Sequence, residues 1–456
     1  MGETLPAFMV FGAMSLMLLV GVLLRAKVGF IQKAMIPSSL LGGVLGFVLV
    51  SLGWLQYPGL DGTWTAVKAD DLIPWAFHAF NISFISLCLT RVDSNGPKRS
   101  VLKGGLWLSM IWSLSLTLQA LVGAGTVAAY NAVTGGDVSI FLGYLATHGF
   151  TQGPGQGLAM GGAWTKGFQV PDGPTMGLIW ATMGFVAAYV AGVPYARYFV
   201  KKGLNANKRS KVDQEFLSGI LKDDTHLEAG RETTHSASTE TLAYHLAIIG
   251  LVYVITYFEI NIVSRHVKHL LFSYPMFFFH GLVWATILRI VMDKIGVGKL
   301  LDPGMQKRIT GMSVDYLLVS SVMGISLVVL TKYLGVIIVV SIAVTLVTFI
   351  MVEFFRRRLS ELGPERAVST FGCCCGSAAS GLLLLRILDA DYSTSVGVEL
   401  AFFNVAILFT TLPILTAMAP GLPGFGHGTI IGAYALYSVI CVGILWFLGS
   451  WRKAAA

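Results

Sequence analysis

HGFTQGPGQGLAMGG at 148–162 and TFGCCCGSAASGLLLL at 370–385 are the stretches whose reading decides the fold. Both are apolar enough to enter a bilayer, yet glycine and other small residues interrupt them. Bare backbone at membrane depth is tolerated only where protein or a water-filled cavity covers it. Paired interruptions at corresponding positions of two halves of a chain point to a transporter site. Taken in full, as 138–163 and 370–388, the stretches read as re-entrant segments. The competing reading is a pair of glycine-rich helices packed closely on their neighbours.

The composition around them is that of an all-α integral membrane protein. Of 456 residues, 12% are charged and 55% hydrophobic, and the mean hydropathy is +0.72. A soluble domain carries about 25% charged residues. Blocks of roughly 20 apolar residues, enough to span a bilayer core, predict spans near 5–24, 36–55, 73–90, 104–128, 174–196, 241–258, 273–291, 313–331, 333–353, 395–417 and 428–448. MGETLP at the N-terminus has no basic residue, so the first block reads as a span, not a cleaved signal peptide. The five cysteines lie in apolar surroundings, which argues against a disulfide framework.

Charge then orients the spans. If the two interrupted stretches do not cross, one side receives Arg25, Lys27, Lys33, Arg91, the Arg197–Arg231 loop, Arg289 to Arg308, Arg356 to Arg358, Arg366, Arg386 and Arg452. Of 32 lysines and arginines the other side keeps only Lys68, Lys166, Arg265, Lys268 and Lys332. Positive-inside asymmetry makes the first side cytoplasmic, with the N-terminus outside, the C-terminus inside and, in a bacterium, the inner membrane as the location. This distribution also explains the net charge of +8 without a nucleic-acid partner.

The halves correspond in order. Leu5–Leu24 pairs with Thr241–Phe258, and IPSSLLGGVLGF at 36–47 with YPMFFFHGLVWA at 274–285. The spans at 73–90 and 313–331 follow, then 104–128 and 333–353, then one interrupted segment and one further span in each half. Five crossings is an odd number, so the second half is inverted. The expected divisions are a first repeat at 1–200, a cytoplasmic connector at 201–240, a second repeat at 241–420 and an extra C-terminal helix at 421–456.

Candidate site residues follow from the turns. Gly153 and Gly155 around Gln152 and Gln156 free the backbone to expose N–H groups, and a helix N-terminus there holds a carboxylate without a buried cation. Thr151, Gln152 and Gln156 add donors and acceptors, or are merely solvated at an extracellular mouth. In the second segment Gly376, Ser377 and Ser380 bind ligand, or the serines bond back to their own helix. Arg386 pairs with a substrate carboxylate or snorkels to the interface. Asn81, Asp315 and Asn404 offer oxygens to sodium, with Asp315 expected near a span end. His78, His148 and His280 are the alternative, proton-coupled set. Consecutive Cys373, Cys374 and Cys375 cannot wrap a tetrahedral ion, so no transition metal and no organic cofactor is expected. The rival classes are weaker. A channel lacks a polar pore-lining helix, and an intramembrane enzyme lacks nucleophile–base or metal-ligand spacing.

ATMGFVAAYVAGVPYARYFVKKG at 181–203, with Gly192, Pro194, Ala196 and Arg197, resembles the closing helix of the first half in the bacterial glutamate:sodium symporter family. GAWTKGF at 162–168 and IPSSLLGG at 36–43 are similar to other segments of that family, in order, and the likeness runs over 5–420. It departs at the turns. Where the family reads Gly-Gly-X-Gly-Thr, this chain has Gly153-Pro154-Gly155-Gln156-Gly157. Where the family carries Thr-Pro-Thr and an Asn, it has Ser377, Ala378, Ala379 and Ser380. The resemblance implies an elevator mechanism on a dimeric scaffold, with mobile substrate domains. The expectation is a sodium-coupled symporter for glutamate or another small anionic amino acid or dicarboxylate.

Overall fold

The computed structural model describes residues 5–59, 62–90, 99–208, 213–222, 228–267, 272–390, 393–400 and 426–448. In chain order the helices are α1 Leu5–Lys27, α2 Gly29–Ala34, α3 Ser38–Ser51, α4 Ala69–Leu89, α5 Arg99–Thr134, α6 Ile140–Phe150, α7 Pro154–Phe168, α8 Gly173–Lys201 and α9 Gln214–Ser218. There follow α10 Thr241–His266, α11 Phe277–Lys294, α12 Pro303–Met323, α13 Leu327–Lys332, α14 Leu334–Arg356, α15 Gly363–Cys375, α16 Ala378–Leu388 and α17 His427–Phe447. One antiparallel β-hairpin between α3 and α4, with Tyr57 opposite Thr65, departs from an all-α chain.

Among the described residues eight helices are long and apolar enough to cross a membrane: α1, α4, α5, α8, α10, α11 (with the preceding turn), α14 and α17. Several expected boundaries change. The expected span at 36–55 is the shorter α3, which gives way to the β-hairpin. The expected span at 313–331 is two helices, because Asp302 accepts a hydrogen bond from the Met305 amide and Pro303 starts α12 ten residues early. The turn after Met323 then ends it, and Ser326 caps α13. Asp315 therefore lies inside α12. Most of the expected span at 395–417, with Asn404, lies outside the described residues.

The helices sort into two units, and each unit draws on both halves of the sequence. The first unit takes 1–27, 37–95 and 219–325. Its core has two clusters. Ile85 and Leu89 of α4 meet Ile249 and Val252 of α10, Met292 of α11 and Ile309 of α12. Val10, Met14 and Met17 of α1 meet Leu72 of α4 with Val319 and Met323 of α12. Within this unit Arg289, buried on α11, is held by Asp293 through paired hydrogen bonds of 3.0 and 3.1 Å, and reaches the Leu89 carbonyl at 3.3 Å.

The second unit takes 28–36, 96–218 and 326–456. Here both interrupted stretches fold back on themselves. Phe141 stacks on Phe168 at 4.6 Å and His148 meets Trp164 edge-on at 5.5 Å, so α6 and α7 form an antiparallel hairpin. A Cβ at Gly372 would lie 2.8 Å from the Gly381 Cα, which marks the same arrangement for α15 and α16. The first expected segment thus lies at 140–168, the second begins earlier, at 363, and ends at 388 as expected, and neither is a single helix.

Small residues make this packing possible. A Cβ at Gly157 or Gly161 of α7 would collide with the Gly177 or Gly173 carbonyl of α8, and the reverse holds for Gly173 and Gly177. The two Gly-xxx-Gly pairs therefore bring backbone against backbone. The connector is partly built into this unit. The Asn207 amide donates to Asp389 at 3.0 Å, and the Ala206 N–H donates to Glu365 at 2.6 Å.

Candidate substrate site at two hairpin turns

The first turn forms because Gly153 adopts φ 81°, a left-handed conformation that a side chain resists, and Pro154 then starts α7 where no N–H is needed. The second forms where α15 ends at Gly376 and Ser377 caps α16 by accepting from the Ser380 N–H. The turns are neighbours. A Cβ on Gly153 would lie 3.5 Å from the Gly376 carbonyl oxygen. Two helix N-termini, those of α7 and α16, therefore start side by side inside one unit.

One residue links the two turns. Gln119, fully buried on α5, accepts from the Thr151 hydroxyl at 2.6 Å through its carbonyl. Its amide nitrogen lies 2.9 Å from the Cys374 carbonyl, 2.9 Å from the Thr348 hydroxyl and 3.0 Å from the Ser115 hydroxyl. It thus touches the first hairpin, the second hairpin and α14 at once. Trp112 adds a hydrogen bond to the Thr151 carbonyl at 3.2 Å. Close backbone packing of Gly184 against Cys375 and Phe150 places α8 on the same spot.

The structure brings together Thr151, Gln152, Gly153, Gly155, Gln156, Gly376, Ser377 and Ser380. Their roles differ. Thr151 is tied to Gln119, and Ser380 lies 3.1 Å from the Tyr189 hydroxyl. Both Gln152 amide atoms and the Gln156 nitrogen are buried, and they face the His148 ring without a hydrogen bond of normal geometry. Arg386 is not at the turn. It sits in the last turn of α16 with its guanidinium 4.7 Å from the Phe216 ring of the connector. Asn81 and Asp315 belong to the first unit, on α4 and α12. Asn81 is buried and its amide donates to the Phe77 carbonyl at 2.7 Å. Cys373, Cys374 and Cys375 are buried packing residues, and no cluster of three or more metal-binding side chains occurs among the described residues.

Gln119 was missed by the sequence reading. It lies in LSLTLQALVG, where a lone glutamine among serines and leucines carries no motif. A polar residue in an otherwise apolar span was the available signal.

The family model for the sodium/glutamate symporter matches residues 4–361, well over half of the chain. The chain belongs to the sodium/glutamate symporter family. This is a transporter family, not an enzyme family, and membership agrees with the eight apolar helices. No curated protein and no solved structure matches the chain. The family match takes in the first hairpin and Gln119, and it ends just before the second hairpin begins.

Proposed function

We propose that this symporter couples the inward sodium gradient to import of glutamate or a related small anionic amino acid or dicarboxylate. The observation that carries the reading is the meeting of the two glycine turns, at 153 and 376, within one unit. Each turn opens a helix N-terminus, and two such termini supply N–H groups and positive dipole ends to one carboxylate. Thr151, Gln152, Gly153, Gly155, Gln156, Gly376, Ser377 and Ser380 would line that site. Free carbonyls at the broken helices are natural sodium ligands, as are oxygens such as those of Asn81 and Asp315 in the first unit.

The make-up of the units supports inverted repeats and an elevator. α1, α3 and α4 share the first unit with α10, α11 and α12. The hairpin and long helices of each half share the second. We assign the first unit as a scaffold that pairs with a second copy of the chain, and the second as the moving carrier. The membrane is the bacterial inner membrane, with the N-terminus outside.

Uptake by the purified protein in proteoliposomes tests this, using labelled glutamate, aspartate, glutamine and succinate with and without an inward sodium gradient. Sodium-dependent accumulation of an acidic substrate is expected. Uptake indifferent to sodium, or confined to neutral substrates, overturns the assignment.

A further inference from the structure

The first hairpin holds a polar cluster that the fold itself does not satisfy. His148 on α6 has no exposed surface, and Gln156 on α7 is 5% exposed. The amides of Gln152 and Gln156 face the imidazole. Even so, neither ring nitrogen, neither amide atom of Gln152 and not the nitrogen of Gln156 makes a well-formed hydrogen bond. The indole nitrogen of Trp164, whose ring packs edge-on against His148, is buried and unpaired as well. Buried polar groups left so poorly met are destabilising. Neighbouring hydroxyls behave differently: Thr147 donates to the Leu116 carbonyl at 2.8 Å and Thr151 to Gln119. The unmet imidazole and amide atoms of His148, Gln152 and Gln156 lie within two turns of Gly153.

We propose that His148, Gln152 and Gln156 form the subsite for the substrate's second carboxylate, and that His148 takes up one proton from solvent as that carboxylate binds. The proposal rests on the acidic-substrate reading above. A carboxylate only accepts, and the Gln152 and Gln156 amide nitrogens donate to it. A protonated imidazole donates from both nitrogens, one to the carboxylate and one to the Gln152 carbonyl. Every unmet atom of the three side chains is then paired.

The proton supplies the counter-charge that the protein's own side chains lack here. A carboxylate buried without a counter-charge is strongly disfavoured. On the helices packed against α6, the charged or protonatable side chains with described positions are Lys103 on α5, Lys166 on α7, Arg197 and Lys201 on α8, Glu353 and Arg356 on α14, and His427 on α17, whose ring lies 4.9 Å from Phe141 and 6.0 Å from Tyr144. All lie near helix ends, and Glu353 and Arg356 are paired with each other at 2.6 Å. Tyr144, one turn back on α6, is the nearest titratable group along that helix, and its phenol is neutral across the range tested. The ring is acted on by the two amides and by no charged group. The proton forms an N–H bond on the imidazole when substrate enters and returns to water when it leaves.

Calorimetric titration of the purified full chain, in two buffers of different ionisation enthalpy, reads the proton directly. L-glutamate is compared with L-glutamine, which replaces the second carboxylate by an amide. Binding of glutamate is expected to take up close to one proton at pH 7.5, and its affinity to fall roughly tenfold per pH unit above neutrality. Glutamine should take up none. In His148→Gln, proton uptake should vanish and glutamate affinity should lose its pH dependence. Glutamate binding without proton uptake in the unaltered protein overturns the proposal, and that measurement needs no variant. Equal uptake with glutamine, or uptake that persists in His148→Gln, places the proton elsewhere and overturns it too. If glutamate and glutamine both fail to bind, the acidic amino-acid reading falls and this one with it.

Discussion

The two hairpins have the same outline and opposite chemistry at their turns. In α6–α7 the side chains around Gly153 are polar: Gln152 and Gln156 face the His148 ring, yet both ring nitrogens, both Gln152 amide atoms and the Gln156 nitrogen lack a hydrogen bond of normal geometry. In α15–α16 the corresponding groups are spoken for. Ser377 caps its own helix, Ser380 meets Tyr189, and the Cys374 carbonyl is held by Gln119. What the second turn has left to offer is backbone. Selectivity would then reside in the first hairpin, and the second would supply the dipole end and the closure.

The most damaging change should be bulk at either turn. Gly376→Leu drives a side chain into Ser380 and Phe185, 2.7 and 3.0 Å from the Cβ position, and Gly153→Leu imposes a positive φ on a branched residue. Both should abolish binding, read as a loss of more than a hundredfold in substrate affinity by titration of folded, monodisperse protein. Retained affinity in both would place the site elsewhere.

Next comes the link between the turns. Gln119→Leu leaves the Cys374 carbonyl without its side-chain donor and the Thr151 hydroxyl with only a long 3.4 Å contact to Thr147, at about 1–3 kcal/mol each. Affinity should fall on the order of tenfold or more, with a matching drop in melting temperature. In a double-mutant cycle with Thr151→Val the two losses should overlap, with a coupling of about 1 kcal/mol. Full additivity would mean that Gln119 does not connect the hairpins.

The comparison itself is sharpened by a pair of alanines. Gln152→Ala should cost about tenfold in affinity and leave the melting temperature nearly unchanged, because its amide faces the His148 ring without a hydrogen bond of normal geometry. Ser380→Ala removes the contact with Tyr189, worth about 1 kcal/mol, and should lower the melting temperature while changing affinity little. The reverse outcome would exchange the roles assigned to the two hairpins.

The smallest effect concerns acid. Burial raises the Asp389 carboxyl, but hydrogen bonds from Asn207, Thr394 and Ser393 outweigh it and hold the group down at about 2. A carboxyl lowered by folding contributes stability above its ordinary range near pH 4, and that contribution is lost as pH falls through 2. Thermal melts between pH 5 and 2.5 should show the connector's docking weaken in the unaltered protein. Asp389→Asn should start less stable and show less of this decline.

The sequence made the interruptions legible because glycine clusters stand out against apolar runs, and hydropathy alone located most long helices. It was silent on the sorting of helices into units, since contact between α4 and α12 leaves no trace in either segment. The start of α12 was readable in LDPG, where an aspartate precedes a proline, but the hydropathy window weighed apolar content and passed over the cap. Gln119 was invisible for a different reason. Three of its four partners, Thr151, Thr348 and Cys374, come from distant parts of the chain, and only the fold assembles them. Arg386 shows the reverse case, a charge prominent in the sequence that the structure puts beside Phe216 at the base of its hairpin.

The glycine pairs between α7 and α8 also bear on how this protein can diversify. A contact of main chain on main chain contains no rotamer that can yield, so positions 157, 161, 173 and 177 are closed to every larger residue. Gln152 and Gln156 take no part in that seam. New substrate preferences can therefore arise by exchanging these two side chains while the frame that presents them stays fixed.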